Sequence, residues 1–227
     1  MTKKQVITYG RSYWASKPDT MMPDPAEKLT VDFFSPADCL VDIFSRALSY
    51  SQNIHVKAAG LGSLTFSGSS RRFLADTQDL ADFLRQPPQR VQVSVLSSKT
   101  DLLAENPAAR DAEELLWQAA FYGSNGRLLQ GCHWSDVVQL KRWPNLTRLP
   151  TTSNAFRILA IFYQHPTSVY LASRLLKIPA AEVYQVYSAA HAAGLTRAVN
   201  REISEPQLKP HRQRALLSSL LERLSIR

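Results

Sequence analysis

In the run Lys141-Arg142-Trp143-Pro144-Asn145-Leu146-Thr147-Arg148, cations flank an indole. Such a cluster can hold a phosphate and stack a base. It can equally pack a linker, with Trp143 and Leu146 turned inward and the cations solvated, and this second arrangement is the expected one. The other candidates are weaker. Gly60-Leu61-Gly62-Ser63 is glycine-rich, but no Gly-Lys-Ser/Thr follows it and it joins two strand-like runs, so it reads as a hairpin turn and not a phosphate loop. Cys132-His133 is an adjacent pair without metal-ligand spacing, and the other histidines are scattered at 55, 165, 191 and 211. No nucleophile elbow, His-Glu-x-x-His helix or kinase set is present. Glu113-Glu114 falls on the polar face of a helix, where solvated carboxylates are expected. The expectation is a chain that is not an enzyme, with no catalytic residue, no cofactor and no metal site.

The elements that would position these side chains follow from periodicity. Residues 1–30 read as an irregular N-terminal segment, with a short strand at Gln5 to Tyr9 and a proline-bearing loop at Lys17 to Lys28. Residues 31–145 read as an α+β domain. Ser35-Pro36 opens a helix with Leu40, Ile43, Phe44, Ala47 and Leu48 on one face. Alternation at Ile54, Val56, Ala58 and at Leu64, Phe66, followed by Arg71 to Ala75, makes a small antiparallel meander. Asp76 or Thr77 caps a short helix ended by Pro87-Pro88, and Val91, Val93 and Val95 give one more strand. Helices are expected from about Ala108 to Tyr122 and from Ser135 to Arg142. The fold class is therefore α+β, a small and mostly antiparallel sheet with helices. It is followed by a helical domain over 146–205 and an amphipathic C-terminal helix over 206–227.

In the helical domain, Ser153 caps a helix striped by Phe156, Leu159, Ala160 and Tyr163. Thr167 caps a second with Leu171, Ala172, Leu175 and Leu176. A third buries Val183, Val186, Tyr187 and Ala190, and Gly194 stops it in a left-handed cap. The segment Leu171-Ala172-Ser173-Arg174-Leu175-Leu176-Lys177-Ile178-Pro179, then Val183, then Gly194-Leu195-Thr196-Arg197, resembles the winged-helix (helix-turn-helix) superfamily over about residues 152–199. That resemblance implies three helices, with a Gly-Leu step from the third into a wing. It is compatible with DNA binding and with protein contacts alike. In DNA-binding members the third helix enters the major groove, where Arg, Lys, Asn or Gln would read base edges. Here that helix opens Ala180-Ala181-Glu182 and no Lys or Arg lies between Ile178 and Gly194. The candidate contacts for a partner or a phosphate are Arg142, Trp143, Arg148, Arg174, Lys177, Tyr184, Gln185, Arg197 and Arg201.

Charge supports a basic second half. Residues 1–126 carry 13 Lys/Arg against 14 Asp/Glu, a net of −1, and residues 127–227 carry 14 against 5, a net of +9. A basic half suggests an acidic counterpart, whether nucleic acid, an anionic membrane surface or an acidic protein, or else a basic surface that serves solubility. No apolar run is long enough for a membrane span, so no integral membrane partner is expected. Gln5 to Tyr13 is too polar for a signal-peptide core. With Cys39 and Cys132 read as buried thiols, the expected location is the cytoplasm. The stripe Leu217, Leu220, Leu221 and Leu224 in the C-terminal helix would form an exposed apolar patch unless covered by its own domain or by a second copy in a homodimer. The reading is a regulatory or adaptor protein that uses the winged-helix-like part for protein interaction. A DNA-binding regulator with mainly phosphate contacts is the alternative, and an enzyme with a site hidden in the N-terminal domain is the third.

Overall fold

A computed structural model of the chain describes residues 4–6, 30–96 and 103–201. The expected C-terminal helix, with its leucine stripe, lies outside the described residues, as does most of the N-terminal segment. Strand β1 (Lys4–Val6) pairs antiparallel with β2 (Thr30–Phe34).

Ser35 does cap a turn that begins with proline, but that turn is a 3-10 helix, Pro36–Asp38. Helix α1 (Val41–Ser49) starts after it and buries Val41, Phe44 and Ala47. The meander follows as expected: β3 (Asn53–Ala58), β4 (Gly62–Ser67) and β5 (Arg72–Asp76). Gly62, at the turn into β4, has φ +106, and a Cβ there would lie 2.2 Å from the Asp76 carbonyl oxygen. Only glycine fits both constraints. Helix α2 (Leu80–Leu84) is capped by Asp79, whose carboxylate accepts from the N–H groups of Ala81 and Asp82. This places the cap past Asp76, which ends β5, and past Thr77. Strand β6 (Val91–Val95) pairs with the far edge of β3, and β7 (Arg110–Asp111) pairs with β5. The result is a five-stranded antiparallel sheet in the order β6-β3-β4-β5-β7.

Helix α3 (Ala112–Ser124) is buried almost all round, including Leu115, Leu116, Trp117, Ala119, Ala120 and Phe121. A helix apolar on every side belongs in the middle of a protein. It packs on the sheet side against α1 and α2. After it, β8 (Leu128–Leu129) lies parallel to β2. The helix expected over Ser135 to Arg142 is instead strand β9 (Val137–Leu140). Its Val-Val-Gln-Leu sequence buries Val138 and Leu140 at period two, too short a stretch for sequence to separate strand from helix.

The remaining elements are α4 (Ala155–Gln164), β10 (Thr167–Ser168), α5 (Val169–Leu176), α6 (Ala180–Ala192) and β11 (Thr196–Ala198). Ser168, not Thr167, caps α5, accepting from the Leu171 N–H at 3.1 Å. Strand β9 sits between β10 and β11, antiparallel to both. Gly194 has φ +73, and the Leu195 N–H bonds the Ala190 carbonyl while the Gly194 N–H bonds that of His191, closing α6 in a Schellman cap.

One buried cluster runs from Val31 and Phe34 through α3 to α6 and Leu195. Residues on both sides of the expected division near residue 146 belong to this cluster. The stripe assigned to α4 is also displaced: its buried residues are Ala155, Ile158, Leu159 and Phe162, while Phe156 is 65% and Tyr163 50% exposed. Leu175 of α5, placed in the core by its sequence pattern, is 53% exposed. The displaced stripe has an energetic consequence. Phe162→Ala should cost about 3–5 kcal/mol of stability, and Phe156→Ala should stay within about 0.5 kcal/mol. Urea unfolding of the two variants distinguishes the faces.

Candidate functional site

The sequence-derived candidates fall in four places, not one. Tyr184 and Gln185 lie on α6, which is covered. Tyr184 is buried, and burial pushes its hydroxyl pKa up. The Gln185 side chain donates to the Phe121 carbonyl of α3 at 3.1 Å. Ser188 accepts from the Leu129 N–H of β8 at 2.9 Å. Ala181 touches the turn at Gly126, where a Cβ would come within 3.1 Å of it. The face of α6 that would read a base edge is thus packed on α3, β8 and the turn between them. Tyr184 and Gln185 thus make their contacts within the chain. The signal was in the sequence: Tyr184, Ser188 and Ala189 extend the apolar and small-residue surface beyond a single stripe.

Glu182, in the first turn of α6, accepts from the Asn154 amide at 3.1 Å. Asn154 in turn accepts from Arg157, and Arg157 also donates to the Leu176 carbonyl. This chain joins the starts of α4 and α6 to the end of α5. A carboxylate at a helix N-terminus is favourably placed. Arg174 lies over the Tyr170 ring and donates to its hydroxyl at 3.0 Å. Lys177 is the left-handed cap of α5, with φ 54.

Arg197 grips the Gln139 side-chain oxygen across the β11–β9 pair. Arg201 ion-pairs with Asp136 at 2.6 Å and donates to the Gly131 carbonyl. Asp136 is buried. It also accepts from the Tyr187 hydroxyl at 2.9 Å and from the His133 N–H at 2.7 Å. This polar node ties the start of β9 to α6 and to the chain beyond β11. Reading the sequence alone missed it, because Tyr187 and Arg201 lie 51 and 65 residues from Asp136. Burial pushes the Cys132 thiol beside it up to about 12. Burial likewise raises the Tyr187 hydroxyl, with Cys132 and Asp136 adding to the shift. Both hold their protons at neutral pH, so the node braces the fold and offers no activated nucleophile.

The fourth place is exposed. Trp143 stacks on Phe156, with centroids 5.3 Å apart and an interplanar angle of 28°, and meets Tyr163 at 5.7 Å. Pro144 and the turns after it fold the loop across α3, where Trp117 donates to the Pro150 carbonyl at 3.0 Å. Arg142 pairs with Glu113, and Arg148 lies 3.7 Å from Glu114. Trp143 does pack a linker, as expected, but onto the outer face of α4, where the three rings remain partly open to water. Leu146 packs against the core.

A cleft of about 410 Å³ is lined by Phe34, Cys39, Arg85, Tyr122 and Arg127 among others. Arg85 and Arg127 lie over the Tyr122 and Phe34 rings. Arg127 donates to the carbonyls of Ser124 and Gly123, and burial raises the Cys39 thiol. Among the described residues no group of three or more His, Cys, Asp or Glu could hold a metal ion. None of their helices is long and apolar enough to cross a membrane. No family model, curated protein or solved structure matches the chain.

The two buried thiols yield a direct check. Cys39 and Cys132 should resist iodoacetamide in the native protein at about pH 8 and react once the chain is unfolded in urea. The folded Cys132 keeps its proton up to about 12, against an ordinary 9.0. The unfolded chain binds fewer protons across that interval, so stability should fall as pH rises through it, read by melting at stepped pH.

Proposed function

We propose that the chain is a non-enzymatic adaptor or regulatory protein that docks an acidic protein partner on the face formed by Trp143, Phe156 and Tyr163. The observation that carries this reading is the trio itself. Trp143 stacks on Phe156 and meets Tyr163 at a tilt, and the three rings are left 37%, 65% and 50% exposed. Clustered aromatics of this kind form the energetic centres of protein interfaces. Arg142, next to Trp143, is paired with Glu113, so the attraction to an acidic partner comes from the net of +9 over residues 127–227.

The winged-helix resemblance is supported by the order α4, α5, α6, β11 and by the capped Gly194-Leu195 step. Two features depart from a DNA-reading use of such a unit. The third helix is covered by α3, and β11 pairs with β9, from the N-terminal side of the helices, rather than with a strand that follows it. DNA binding through phosphate contacts is the second reading, favoured by the basic half alone. Arg142, Arg148 and Arg201 already have carboxylate partners, which weakens their pull on phosphate. A cytoplasmic location accords with two free, buried cysteines.

The double variant Phe156→Ala/Tyr163→Ala should leave the melting temperature nearly unchanged and remove acidic proteins captured from native cells by the wild type, as quantified by mass spectrometry. Equal recovery by wild type and variant would contradict the docking face. A single-stranded oligonucleotide held tightly at about 0.15 M salt would favour the nucleic-acid reading instead.

A further inference from the structure

The far edge of the five-stranded sheet carries a different surface. Among the described residues, β6 pairs with β3 alone. Val93 and Val95 lie opposite Val56 and Ile54, which are buried, so they sit on the face that elsewhere makes the core. Yet Val93 is 46% and Val95 61% exposed, because none of the described elements reaches over the edge.

Among the described residues, the outward backbone of this edge also has no partner. The Leu96 N–H donates to the Asn53 carbonyl at 2.8 Å, which makes Asn53–Leu96 a hydrogen-bonded pair of the ladder. Alternation along an antiparallel pair then turns the N–H and C=O of Val93 and Val95 away from β3. Val91 gives its N–H to the Pro88 carbonyl in the preceding 3-10 turn, leaving its C=O directed outward. Edge strands are ordinarily protected by a charge, a proline or a bulge. Val91-Gln92-Val93-Ser94-Val95 has no charge and no proline, and its pairing with β3 runs without a bulge.

We propose that β6 pairs antiparallel with β6 of a second copy of this chain, about a two-fold axis through Val93. The strand is self-complementary in that register. Val93 faces Val93, Val91 faces Val95, and Gln92 faces Ser94. Apolar side chains meet on the core face, polar ones on the other, and no like charges are opposed. The Val93 N–H donates to the Val93 carbonyl of the second copy, and the Val95 N–H donates to the Val91 carbonyl. The donor that Val91 lacks falls at the two ends of the ladder. A slip by one residue would set outward-directed backbone groups against inward-directed ones and lose these bonds, and a slip by two would keep the pattern but leave more of the five residues unpaired, which favours the register centred on Val93.

Sedimentation velocity on the full chain should show a dimer. Val93→Lys, which opposes two ammonium groups across the axis, should give a monomer with unchanged far-UV circular dichroism. Mixing Val93→Lys with Val93→Asp should restore a mixed dimer. Thiol cross-linking with a short bismaleimide supplies a second measurement that does not depend on a disruptive variant. Cα atoms of a hydrogen-bonded antiparallel pair lie about 5.5 Å apart, with Cβ atoms wider than a relaxed disulfide allows but within the span of such a reagent. Val93→Cys should therefore cross-link to a dimer on a denaturing gel. Val95→Cys should not, since its counterpart lies about 13 Å along the strand. A wild-type monomer, with the edge covered by the chain's own segments, would overturn the proposal. So would a dimer that survives Val93→Lys, or equal cross-linking at both positions.

Discussion

Helix α6 is seated against α3, and the described elements on either side are organised around that contact. Neither helix has a wide polar face. Each buries side chains on nearly every side, and each such large apolar side chain contributes about 1.5–3 kcal/mol. Gly126 gives the close approach, since a Cβ there would press on Ala181. Gln185 and Ser188 satisfy a carbonyl of α3 and an amide of β8, so the polar groups on the packed face are not left without partners. The five-stranded sheet lies beyond α3, and the three-stranded sheet with α4 and α5 surrounds α6.

This packing decides which surfaces are left to act. The face of α6 that packs on α3 is enclosed by the chain itself and is not free for a partner. What remains outward on that half is the far side of α4, where the displaced stripe leaves Phe156 and Tyr163 outside and the Trp143 loop folds over them. Two surfaces thus stand apart, an aromatic one on α4 and an apolar strand edge at β6.

Much of this was legible in the residues. The meander was readable because alternation over β3 and β4 is uninterrupted and bounded by glycines. The core face of α6 was readable because Val183, Val186, Tyr187 and Ala190 repeat at helical spacing. Three features were not. In α4 nearly every residue is apolar, so the stripe through Phe156 and Tyr163 is as regular as the true one through Ala155, Ile158, Leu159 and Phe162, and only tertiary packing chooses between them. Strand β9 is too short for its period to register. The cluster around Asp136 joins Tyr187 and Arg201 from across the chain, and no local pattern announces contacts at that separation.

The central claim is that α3 and α6 form one cooperative core and that α6 is not a surface element. Native-state hydrogen exchange resolved along the chain tests it most directly. The account predicts that amides over residues 183–190 exchange only through the same opening that exposes residues 115–121, with matching free energies. Exchange of α6 through a smaller, separate opening, while α3 and the five-stranded sheet stay protected, would contradict it.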